Sequence, residues 1–228
     1  MSNIAGVREF GEGPLSRAAA TVYTMLVVEI LLLVTAAPGL VVLVLLDRDV
    51  SNLPLVAACA LPLGPALSAA VYALHHRRAD VADLRPAAAF WRGYRLNAVG
   101  VLKVWVPALV WLAIVAVGLA NFRATGLPGW WAVLLALVGA GASLWTTNAL
   151  VITSLFAFRG RDVARLAGHF LTRTPGVTLA NACLLIVAGG VVWVSSEAVA
   201  ALLGSVFVAM LLRNSRPLFD AVRREFTA

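Results

Sequence analysis

Residues 18–46 read AAATVYTMLVVEILLLVTAAPGLVVLVLL, an apolar run interrupted by Glu29 and by the Pro38-Gly39 step. A helix that crosses a hydrocarbon core of about 30 Å needs about 20 mostly apolar residues, and this run is long enough. Five more runs follow, over 53–74, 98–120, 130–158, 177–194 and 198–212. Six transmembrane helices are therefore expected. The last two are parted only by Ser195-Ser196-Glu197 and the sixth is short, so five spans with a re-entrant end is the alternative. The first run continues beyond Ala36-Ala37-Pro38 with no compact basic cluster before it, which predicts an uncleaved span and not a signal peptide.

Composition agrees with this reading. Of the 228 residues, 61% are hydrophobic and 13% charged, against about 45–50% and about 25% in soluble domains. Such a chain cannot cover its surface with polar groups, which argues against a soluble globular enzyme. The apolar content also excludes disorder. Cys59 and Cys183 both lie inside apolar runs, so neither a disulfide framework nor a cysteine zinc site is expected. The expected fold is all-α: one polytopic membrane helix bundle over residues 1–228.

The formal charge of +7 and the isoelectric point near 10.7 raise the question of nucleic acid. Placement of the charges answers it. Sixteen of the 18 basic residues fall on one side of the six-span arrangement, and only Arg48 and Arg123 fall on the other. Short cytoplasmic loops carry the excess of Lys and Arg, so both termini are expected in the cytoplasm. Trp130, Trp131 and Trp193 fall at the outer boundary, and Trp91 and Tyr94 at the inner one, where amphipathic rings anchor.

The basic segments resemble one another. Arg78-Ala79-Asp80-Val81-Ala82-Asp83-Leu84 precedes Phe90, and Arg161-Asp162-Val163-Ala164-Arg165-Leu166 precedes Phe170. Leu218-Phe219-Asp220-Ala221-Val222-Arg223-Arg224 follows the sixth run. The pattern predicts three helical hairpins, each ending in a short amphipathic helix at the cytoplasmic interface. Duplication and convergence account for it equally well. Their arginines would draw an anionic inner leaflet, so the lipid bilayer is the expected partner and nucleic acid is not needed.

Glu29 is the one acidic residue inside a span, about 16 Å along the helix from Ala18. A carboxyl group there must be protonated, paired or facing a hydrated cavity. Lys103 is expected to approach it, as a proton or substrate site or as a structural clamp. Asn97, Thr146, Thr147, Asn148 and Asn181 would then line a cavity open to the cytoplasm or bond between helices. Pro62, Gly64 and Pro65 break the second span, as in the discontinuous helices of transporters or as a packed kink. Gly139-Ala140-Gly141-Ala142 and Gly189-Gly190 are expected at close helix contacts.

Signatures of catalysis are missing. His75 and His76 adjoin Arg77-Arg78 and read as a solvated helix end, and His169 stands alone in a basic loop. There is no metalloprotease motif, phosphate loop or catalytic triad, so no catalytic residue, cofactor or metal is expected.

Several segments together resemble the YesL-type family of bacterial membrane proteins, a domain family of unknown function. They are Phe10-Gly11-Glu12-Gly13-Pro14-Leu15-Ser16-Arg17; Pro62-Leu63-Gly64-Pro65-Ala66-Leu67, leading through Tyr72 to Arg77-Arg78; and Phe90-Trp91-Arg92 with Tyr94 and Asn97. The resemblance implies a small multi-pass protein of the bacterial inner (plasma) membrane, associated with carbohydrate uptake and degradation systems. Two functions stay open. One is a non-catalytic accessory subunit of a membrane transport complex, or a homo-oligomer. The other is a small transporter or channel with a polar site around Glu29 and Lys103.

Overall fold

The computed structural model describes residues 14–47, 49–76, 85–156 and 158–226, and every regular element among them is helical. Helix α1 (Pro14–Leu45) is followed by α2 (Leu53–Cys59) and α3 (Leu63–His75), then α4 (Pro86–Ala120) and α5 (Trp130–Leu155). The second half comprises α6 (Gly160–Arg173), α7 (Pro175–Val194), α8 (Glu197–Leu202), α9 (Gly204–Asn214) and α10 (Arg216–Phe226).

Helices α1, α4, α5 and α7 are each long and apolar enough to cross a membrane. The α2–α3 pair, bent by 42°, makes a fifth candidate. The sixth run divides into α8 and α9 at Leu203, and neither part is long enough alone. The outward faces are apolar: Ile186 is 73% exposed and Trp193 86%. Surfaces of that kind suit hydrocarbon and would aggregate in water.

Most elements match the expected runs, with one large difference. The third was expected from residue 98, yet α4 begins at Pro86. Proline suits a first helical position because its missing N–H has no partner there. Farther along, Phe90 is fully buried and Gly93 receives the Tyr72 ring, so this polar-looking start is held by packing. Helices α3 and α4 interlock reciprocally. Gly64 of α3 lies under Trp105 of α4, while Gly93 of α4 lies under Tyr72 of α3. Ala66, Ala69, Ala70 and Ala73 of α3 are all buried, which lets neighbouring backbones come close.

Two apolar clusters organise the interior. One joins Val28 and Leu32 of α1, Ala69, Ala70 and Ala73 of α3, Phe90 and Val208. The other joins Ile152, Phe170, Val177, Leu211, Leu218 and Val222, from α5, α6, α7, α9 and α10. Leu155 and Leu212 pack against both. Trp145 Nε1 donates to Ala164 O at 3.0 Å, tying α6 to α5, and His75 meets Phe219 edge-on at 5.7 Å, tying α10 to α3. His75 is thus half-buried against α10, while His76 at the helix end is exposed as expected. Two of the three expected amphipathic helices, α6 and α10, are formed; the third, over 78–84, lies outside the described residues.

Three acidic residues line a groove at the opposite end of the bundle. The groove, of about 730 Å³, is lined by Asp47, Asp49, Ala120, Val192, Ser196 and Glu197, among others. The Ser51 hydroxyl, and then its backbone N–H, hold the Asp49 carboxyl below the usual carboxylate range by donating to it.

Candidate functional site

Glu29 turns inward from α1 and caps another helix. Its Oε2 accepts a 2.6 Å hydrogen bond from the backbone N–H of Ser205, in the first turn of α9. The first N–H groups of a helix have no partner within it, and at membrane depth water is not there to supply one. The α8–α9 break creates this deficit, and Glu29 answers it from a distant helix. Gly204 makes room: a Cβ there would stand 3.2 Å from Leu32 Cδ2 and 3.4 Å from Glu29 Oε1. Oε1 itself is buried without a partner.

The expected approach of Lys103 to Glu29 does not occur as an ion pair. Lys103 is exposed on the outward face of α4, with Val99, Val106 and Val110. Buried Val101, Val104 and Ala108 occupy the inward face. Helical phase explains the difference, because the interlocking of Gly64 with Trp105 fixes the rotation of α4.

The break at Pro62, Gly64 and Pro65 is a packed kink. Pro62 is the N-cap of α3 and Pro65 lies in its first turn, where missing donors are tolerated. Trp105 Nε1 donates to Ala60 O at 2.9 Å, satisfying a carbonyl beside the break. Both helix breaks are therefore answered by a side chain from another helix. Sequence reasoning missed Ser205 and Trp105; the only signal was that Gly204-Ser205 interrupts an apolar run.

Most of the other expected polar residues bond to backbone or to one another. Asn97 Nδ2 donates to Ser154 O at 2.9 Å, and Ser154 Oγ meets Ser68 Oγ at 2.8 Å, linking α4, α5 and α3. Thr146 and Thr147 donate to carbonyls one turn back on α5. Asn148 and Asn181 differ. They are 2% and 1% exposed, and Asn148 Nδ2 with both Asn181 amide atoms is buried without a partner. Each lies one helical turn from a member of the same apolar cluster, Ile152 on α5 and Val177 on α7. Unpartnered amides in such a place call for water or another polar group between the two helices.

Among the described residues, no three His, Cys, Asp or Glu side chains gather as a metal site. His169 lines a groove of about 470 Å³ beside α6 with Phe158, Asp162, Arg165 and Leu166.

Four or five apolar helices of spanning length, polar groups turned inward and an apolar outer surface define the class: a multi-pass helical membrane protein. No family model, no curated protein and no solved structure matches the chain.

Proposed function

We propose that this is a non-catalytic accessory or partner subunit of a membrane transport complex. In this reading it is a six-span protein of the bacterial inner membrane with both termini in the cytoplasm. The observation that carries the accessory role is the capping of α9 by Glu29: the one acidic side chain within the spans closes a helix break, and Lys103 faces away from it. The polar groups hold the bundle together more than they mark a path through it. The association with carbohydrate uptake rests on the YesL-type resemblance of the first hundred residues.

Six passes are supported by the two ends of the chain's last apolar run. Residues 197–214, α8 and α9 with Leu203 between them, amount to about 27 Å of helical rise, of which the apolar run 198–212 supplies about 22 Å. They begin beside Asp47 and Asp49 and finish where Leu211 joins α6 and α10. Helices α6 and α10 then lie along the cytoplasmic interface, with buried Val163, Phe170, Leu218 and Val222 facing the bundle and exposed Arg161, Arg165, Arg173, Arg216 and Arg224 toward anionic lipid. With Cys59 and Cys183 replaced by alanine, Ala124→Cys and Ser196→Cys are expected to react with a membrane-impermeant maleimide on intact cells. Gly160→Cys and Arg224→Cys are expected to react only after permeabilisation. Labelling of Arg224→Cys from outside would leave five spans.

Extraction in mild detergent followed by mass measurement tests the role. A particle containing a second, different polypeptide is expected; a lone 24.0 kDa chain in its micelle overturns the reading. Transport is the second reading, favoured by the unpartnered amides of Asn148 and Asn181, which suit a hydrated interior.

A further inference from the structure

A groove of about 490 Å³ runs along the outer surface between α2 and α4. Ala57, Ala58 and Ala113 leave it shallow and open, and Leu61, Val110 and Val117 wall it. Its α4 side runs from Val106 to Val117, 11 residues or about 16 Å. Lys103 stands one turn before Val106 on the same outward face, and among the described residues no carboxyl group pairs with it.

Two lengths make this arrangement specific. From Lys103 to Ala120, where α4 ends, is 17 residues, about 26 Å of helix, close to the thickness of the hydrocarbon core. Lys103 therefore stands toward the cytoplasmic end of this stretch and Ala120 at its other end. Along α4 the groove extends from about 5 Å to about 21 Å past Lys103, through the acyl region of the inner leaflet, about 15 Å deep, and beyond the midplane.

We propose that Lys103 and the α2–α4 groove form a site for one anionic phospholipid of the inner leaflet. Its phosphate lies on the Lys103 ammonium group and one acyl chain lies in the groove. The charge is at one end only and the remainder is apolar, as in a lipid. A partner helix would need an acidic residue at this depth, and a second copy packed face to face about a twofold axis would set Lys103 against Lys103. The proposal rests on the membrane reading above but not on the accessory role.

The test uses the full chain reconstituted with phosphatidylcholine and phosphatidylglycerol, then released for native mass spectrometry. The wild type is expected to retain one phosphatidylglycerol with about fivefold preference over phosphatidylcholine. Lys103→Met is expected to lose that preference while still holding a lipid, and Lys103→Arg to keep it. Ala113→Phe, which fills the groove, is expected to lose the retained lipid of either kind. Selectivity unchanged in Lys103→Met assigns it to the arginines of the cytoplasmic surface and overturns the proposal. So does lipid retained by Ala113→Phe, or a second polypeptide in place of lipid in the groove. Flotation with the vesicles, measured on the same samples, separates the two levels. A chain that does not float contradicts the membrane reading, whereas one that floats without selectivity contradicts only the lipid site.

Discussion

Gly39→Ala is expected to lower the thermal midpoint in detergent by at least about 6 °C, equivalent to about 3 kcal/mol for a chain of this size. A Cβ at Gly39 would stand 1.9 Å from the carbonyl oxygen of Cys59 and 3.0 Å from Pro62 Cγ. Neither obstacle is a flexible side chain. One is the backbone at the end of α2 and the other is a proline ring at the bend, so no rotamer change relieves the overlap. Helix α1 must move from the α2–α3 bend by more than an ångström, and the Trp105 bond to Ala60 lies in the region disturbed. Intrinsic propensity acts in the opposite direction, because alanine in a helix interior is favoured over glycine by about 1 kcal/mol. Gly189→Ala supplies the control: nothing lies within 4 Å of its added Cβ, so a neutral or slightly stabilising change is expected. Equal midpoints for the two variants would show that α1 and α2 do not approach as described.

That contrast shows what was legible in the chain and what was not. Apolar run length predicted the long helices, because the length a bilayer demands is a local property of sequence. It also flagged Glu29 and the Pro62–Pro65 break as exceptions. Glycine was misread in part. Gly189-Gly190 and Gly141 suggested close helix contacts, yet they have open space, while Gly39, Gly64 and Gly93 carry the tight ones. A glycine's role depends on what the opposing helix presents, and local composition does not contain that. The same limit explains the failed pairing of Glu29 with Lys103. Depth along a helix can be counted, but rotation about its axis is set by contacts such as Gly64 with Trp105. The start of α4 at Pro86 was hidden for a related reason, since Phe90 and Gly93 are buried by α3 despite polar neighbours in sequence.

Replacing Glu29 is the second large effect expected, and its size depends on what replaces it. Glu29→Leu leaves the N–H of buried Ser205 without an acceptor. An unsatisfied buried donor costs about 1–3 kcal/mol, and leucine removes the favourable interaction of a carboxyl group with the helix N-terminus as well. A fall of about 4–8 °C in midpoint is expected. Glu29→Gln keeps a carbonyl oxygen in the same place and should lose less than half as much. Hydrogen exchange gives the local readout: amides of residues 204–207 should exchange faster in Glu29→Leu and near the wild-type rate in Glu29→Gln. A proton or substrate site makes the reverse demand. There the ionisable group is what matters, so glutamine would be as damaging to activity as leucine, and exchange at the start of α9 would not distinguish them. Two variants that exchange alike at 204–207 would remove the capping role, and with it the observation on which the accessory reading stands. Separation of the two ties the lone intramembrane carboxyl group to a structural deficit, created where the last apolar run is cut at Leu203 and met from α1, 176 residues earlier.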